Sequence, residues 1–144
     1  MIDLHPPLVF LLAIGSAIAV VLLAGCLDEK PASGDRISRS IPPVGASALI
    51  DERGEDPKFV VIDVRRPDEF ATGHIPGAIN LNSANITEHF RSLDPDATYL
   101  LCCQRGGRSA GVREKMEEAG FREVYDVEGG MGAWQAAGLP VVRD

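Results

Sequence analysis

Downstream of residue 43 the chain alternates two kinds of hydrophobic pattern. Short unbroken apolar runs, FVVID at 59–63 and YLLC at 99–102, suit strands covered on both faces, because successive side chains point to opposite sides and both sides must then be dry. EVYDV at 123–127 reads as a further strand, and AINL at 78–81 as a shorter run of the same kind. Between these runs apolar residues recur at helical spacing. This happens at 46–52, at 86–93 with Ile86, Phe90 and Leu93 on one face, and at 109–119, which Gly120 stops. A short closing helix surrounds Trp134 at 129–138. Strands separated by helices need crossover connections, so the pattern predicts an α/β domain with a mostly parallel sheet and helices on both faces. Sheets of that kind bind ligands at the carboxyl ends of their strands.

The N-terminal pattern differs in kind. From Leu8 to Gly25 eighteen residues pass without a charge, a length at the border between the apolar region of a signal peptide and a short membrane span. The run ends in LAGC, Leu23 to Cys26, and the polar residues Asp28, Glu29 and Lys30 follow. That tetrapeptide resembles the lipobox of prokaryotic lipoproteins, in which small residues admit the signal peptidase and the Cys sulfur receives a diacylglyceryl group. The resemblance implies a signal peptide at 1–25, a lipid on Cys26, and a domain held at a membrane on its extracytoplasmic side. The leader MIDLHPP carries Asp3 and neither Lys nor Arg, which keeps an uncleaved anchor helix as the alternative. Residues 26–43, with three Pro and no sustained apolar period, read as a flexible tether.

Length and charge narrow the function. A chain of 144 residues has room for one domain. Fourteen Lys and Arg against 21 Asp and Glu give a net charge of -7, which opposes attraction to phosphate backbones and argues against nucleic acid as a partner.

The chemistry concentrates in LLCCQRGGRSA at 100–110: a buried strand, a Cys at its carboxyl end, a loop, then a helix. A loop wrapping from strand to helix turns successive backbone N–H groups inward, and the helix N-terminus adds partial positive charge. A Cys placed there ionises more easily, and Arg105 and Arg108 add full charges that lower the thiol pKa and attract an anionic substrate. Gly106 and Gly107 permit the tight curvature.

This segment resembles the active-site signature C-x-x-G-x-R-S of the rhodanese family of sulfurtransferases, at Cys103, Gly106, Arg108 and Ser109. VIDVRRPDEFATGHIPGAINLN at 61–82 resembles the family's first signature through Asp63, Arg65, Glu69, His74, Pro76, Gly77 and Ala78, and GGMGAWQAAGLP at 129–140 resembles its closing one. Membership over residues 44–144 implies a small doubly wound α/β domain and a persulfide mechanism that requires neither metal nor organic cofactor. In it the Cys103 thiolate takes the outer sulfur of thiosulfate or a similar anionic donor and passes it to a thiol or cyanide acceptor. Gln104, Arg105, Gly106, Gly107 and Arg108 are then the donor-binding loop, with Gln104 and Arg105 tuning the choice of donor. Asp63, Arg65, His74 and Ser109 are its supports.

Two alternatives stand beside this reading. Counted from Cys102, Arg108 falls at the interval of the Cys-dependent phosphatases, although Arg105 and Leu101 occupy places where such a loop has Gly and often His. Cys102 is otherwise a core residue or a resolving thiol. A rhodanese-like domain can also serve as a noncatalytic binding module, or as a persulfide carrier or sensor for a partner.

Overall fold

The computed structural model describes residues 36–143. Five strands, β1 (Ile37–Ile41), β2 (Phe59–Asp63), β3 (Ile79–Asn80), β4 (Thr98–Cys102) and β5 (Glu123–Val127), form one sheet in the order β1-β5-β4-β2-β3. Every ladder is parallel. The helices are α1 (Pro43–Arg53), α2 (Pro67–Ala71), α3 (Ile86–His89), α4 (Gly107–Glu118) and α5 (Gly130–Ala136). The doubly wound α/β architecture is the one the alternation of patterns implies.

Strand pleating splits the core in two. Ile62, Val64, Tyr99, Leu101, Cys103 and Val124 face one side, where Ile86 of α3 and Val112 and Met116 of α4 cover them. Phe59, Val61, Leu100, Cys102, Tyr125 and Val127 face the other, beneath Ala46 of α1 and Met131 and Trp134 of α5. Both faces are dry, which is why FVVID and YLLC are unbroken apolar runs. The predicted helix at 86–93 is α3 continuing into a 3-10 turn at Phe90–Ser92, and Phe90 and Leu93 pack on the same core as Ile86.

Two elements depart from the sequence reading. Residues 37–41, placed within the tether, are β1, paired along its length with β5. Its alternation is polar because Ser38 and Ser40 meet a partly buried ion pair: Arg113 Nη1 donates to Ser38 Oγ at 2.8 Å, Ser40 Oγ donates to Asp126 Oδ1 at 2.8 Å, and Arg113 Nε donates to the same carboxylate oxygen at 2.7 Å. Those partners lie 75 to 86 residues away, beyond any local pattern. The second element, α2, spans five residues and is too short to show a periodicity.

The winding fixes the location of the site. From β2 the chain steps outward to β3, whereas from β4 it steps the opposite way to β5. Adjacent strands β2 and β4 therefore flank the reversal point of the sheet, and the crevice at their carboxyl ends is where such folds accept ligands. Asp63 ends β2, Cys102 ends β4, and Val64 N–H donates to Cys102 O at 2.8 Å across the gap.

Candidate active site

Cys103 is the first residue beyond β4, and its side chain is 1% exposed. The chain then turns through Gln104 and Arg105 to Gly106, whose φ of +90 provides the left-handed step into α4. This turn brings Gly106 N–H to 3.1 Å from Cys103 Sγ, and the Ser109 hydroxyl to 3.4 Å from the same sulfur and 3.0 Å from Gly106 O. Burial opposes ionisation of the thiol. The hydroxyl and N–H of Ser109 and the N–H groups of Arg105 and Gly106 outweigh it and hold the Cys103 pKa below its ordinary value.

The loop is held from behind by α5. Met131 N–H donates to Cys103 O at 2.7 Å and Gly132 N–H to Gln104 O at 3.1 Å, so free N–H groups of the first turn of α5 anchor the carbonyls of the loop. Because the Gln104 carbonyl is turned toward α5, the Arg105 N–H that follows it in the trans peptide is turned the other way, toward the sulfur. The approach requires a residue without a side chain. A Cβ on Gly130 would stand 2.2 Å from Cys103 O, and the residue has φ of +56.

A second support comes from β2. Asp63 and Arg65 form a buried ion pair, with Arg65 Nη2 at 2.7 Å from Asp63 Oδ2. Arg65 also donates to Gly73 O at 2.7 Å and to Gln104 Oε1 at 3.2 Å. Asn80 fixes the backbone of the pair through Asp63 O and Arg65 O. The Asp63–Arg65 pair thus touches the loop at the side-chain amide oxygen of Gln104.

Over the sulfur lies a cavity of about 400 Å³ lined by Glu69, Cys103, Gln104, Arg105, Gly107 and Arg108. Arg108, on the first turn of α4, makes a bidentate ion pair with Glu69 of α2, both contacts at 2.8 Å. The hydrogen bond from Arg108 holds the Glu69 carboxyl down to about 2. Arg105 is exposed and makes no ion pair among the described residues.

A rhodanese-like domain model matches residues 46–137, most of the folded body described above. The chain belongs to the rhodanese-like family. It is 37% identical over 98 residues to the thiosulfate sulfurtransferase GlpE of Pseudomonas putida, covering 68% of this chain and 86% of that relative. The rhodanese-related protein of Thermoplasma volcanium superposes with a TM-score of 0.63 at 34% identity, over 74% of this chain and 99% of that one. A Rhodopseudomonas palustris protein of unknown function, described as a "possible tyrosine phosphatase", superposes with the same TM-score at 26% identity, over 76% and 86% of the two chains. The likeness to GlpE places the chain among relatives named as sulfurtransferases.

Within this rhodanese-like fold the two adjacent thiols have opposite environments. Cys102 faces the core under α1 and α5, and its Sγ donates to Cys103 O at 3.4 Å. Burial, reinforced by the negative charge of Asp63, pushes its pKa up. It meets none of the loop N–H groups, so a phosphatase loop counted from Cys102 has no nucleophile facing the cavity.

The structure brings Cys103, Gln104, Arg105, Gly107 and Arg108 to one cavity, with Gly106 and Ser109 beneath the sulfur. His74 lies elsewhere: its ring stacks on Phe70 at 3.7 Å, its Nδ1 is 3.1 Å from Phe70 O, and its backbone bridges to Val142. It therefore supports the turn after α2 and does not line the cavity. Cys26, the lipid-bearing residue the lipobox resemblance implies, falls outside the described residues. No described group of three or more His, Cys, Asp or Glu could hold a metal ion. Sequence reasoning gave no role to Glu69, Gly130 or Met131. The signals were there: a carboxylate between two segments rich in site cations, and paired glycines directly after a strand.

Proposed function

We propose that this chain is a sulfurtransferase that moves sulfane sulfur from thiosulfate or a similar anionic donor to a thiol or cyanide acceptor through a persulfide on Cys103. The observation that carries the proposal is the Cys103 sulfur itself, buried at the base of the cavity with Gly106 N–H and the Ser109 hydroxyl directed at it. A thiolate there attacks the outer sulfur of thiosulfate. The new S–S bond forms as the bond to the sulfonate breaks, sulfite departs with the electron pair, and the persulfide keeps one negative charge. The N–H groups that stabilise the thiolate are positioned to stabilise that terminal charge, so no proton must move and no general base is needed. An acceptor thiolate then attacks the terminal sulfur and regenerates Cys103.

The N-terminal pattern supports action at the extracytoplasmic face of a membrane, through a lipid on Cys26 or an anchor helix at 1–25. Among the described residues no helix is long and apolar enough to cross a membrane.

The test is mass spectrometry of the full chain after thiosulfate treatment. One added sulfur atom is expected on the peptide holding both cysteines, lost in Cys103→Ser and kept in Cys102→Ser. A sulfur adduct that survives Cys103→Ser and disappears with Cys102→Ser would overturn the assignment. An adduct that forms on Cys103 but is never passed on to cyanide or thiols would reassign the chain as a persulfide carrier.

A further inference from the structure

The cavity over Cys103 holds two cations and one carboxylate, and the way they pair bears on which donors fit. Arg108 commits both Nη groups to Glu69 at 2.8 Å. Glu69 is itself anchored, because its Oε2 accepts the Arg66 N–H at 3.1 Å at the start of α2. The carboxylate lines the same cavity as the sulfur and is ionised at any ordinary pH, its carboxyl lying at about 2. Two consequences follow. The charge of Arg108 is cancelled within the protein, and a second negative charge on an incoming donor meets Glu69 at the mouth. Arg105 makes no ion pair among the described residues.

We propose that Glu69 sets the donor charge this site accepts: by tying up Arg108 it leaves Arg105 as the only uncompensated side-chain cation among the described residues lining the cavity, which favours singly charged sulfane-sulfur donors of the thiosulfonate or organic persulfide class over dianionic thiosulfate. The inference rests on the sulfurtransferase reading and specifies its substrate class. For a thiosulfonate the balance is the same as for thiosulfate: the Cys103–sulfur bond forms, the sulfur–sulfur bond of the donor breaks, and a sulfinate leaves with the electron pair. The difference lies in the leaving portion, which carries one charge instead of two and needs one matched cation.

Methanethiosulfonate and thiosulfate offer the same outer sulfur at single and double charge, so the ratio of their kcat/KM values reads the effect directly in the full chain. The wild type should prefer methanethiosulfonate. In Glu69→Gln the freed Arg108 should shift the ratio toward thiosulfate by about tenfold, the scale of one charge-assisted hydrogen bond. Removing the nearby carboxylate should also move the pH profile of Cys103 alkylation by iodoacetamide to lower pH. Arg105→Gln should weaken methanethiosulfonate by about tenfold and gives a second route should Glu69→Gln lose its unfolding transition. An unchanged donor ratio and alkylation profile in a folded Glu69→Gln would overturn the proposal and leave Glu69 as a tie between α2 and α4. Unchanged methanethiosulfonate kinetics in Arg105→Gln would overturn it as well. Wild-type turnover of either donor keeps the sulfurtransferase reading intact whatever the variants do.

Discussion

At Cys103 burial and hydrogen bonding pull in opposite directions. Burial alone would leave the sulfur as inert as Cys102, whose pKa the same effect pushes up against only the weaker opposing charge of Arg65. The hydrogen bonds from Ser109 and the loop reverse the sign. Ser109→Ala should therefore raise the Cys103 pKa, because it removes a hydrogen bond that favours the charged form of the sulfur. The sign decides the observable: the thiolate fraction falls below the new pKa, so alkylation slows at neutral pH and returns to the wild-type rate in alkali. A pH profile of iodoacetamide labelling measures this, and an unmoved profile would show that the N–H groups suffice. Residue types announced this chemistry. The loop signature already pointed to Cys103, and strand alternation turns the two adjacent thiols to opposite faces of the sheet.

At the scale of elements, α5 and α4 matter most. The first turn of α5 holds the active loop through two carbonyls, and Gly130 has no room for a Cβ there. Gly130→Ala should displace the loop, reduce sulfur transfer by about tenfold or more, and destabilise the fold by about 1–3 kcal/mol. Gly77→Ala is the control: its φ of +77 imposes backbone strain, but nothing lies within 4 Å of its Cβ. Denaturant unfolding and persulfide yield together separate the two, because only Gly130→Ala should impair both. Between α4, β5 and β1 the Arg113–Asp126 pair is buried at the carboxylate end, with Asp126 2% exposed. Asp126→Ala leaves Arg113 without its principal partner and should cost about 3 kcal/mol in denaturant melts. A loss below about 1 kcal/mol would mean that Glu117 and solvent take over the guanidinium. Neither α5 as a loop anchor nor this cluster was legible beforehand, since each joins positions that are distant in sequence.

At the scale of the whole molecule the folded body begins earlier than residue 44. Shortening the chain so that it starts after Ile41 should strip β1, expose the β5 edge and orphan the side chains that Ser38 and Ser40 satisfy. Such a chain should melt at lower temperature and associate, whereas one starting at Arg36 should not. Size-exclusion chromatography and thermal melts check both. Upstream, Cys26→Ala should leave an unprocessed precursor if the lipobox reading holds. A wild type that retains residues 1–25 would instead support the anchor helix, and membrane fractionation with intact-mass measurement tells them apart.

The sequence by itself determined the local features: which stretches are buried strands, where Gly120 stops a helix, that a thiol, glycines and cations share one strand-to-helix loop, and that the fold is α/β. These follow from periodicity and residue chemistry within a dozen positions, which is the range over which backbone geometry imposes a pattern. The tertiary structure decided everything that depends on long-range pairing. It made ISRSI an edge strand instead of a tether, turned Arg108 toward Glu69 instead of leaving its charge free, and brought the paired glycines under the active loop. In each case a polar or glycine residue takes its role from a partner many residues away, and no spacing along the chain encodes that distance.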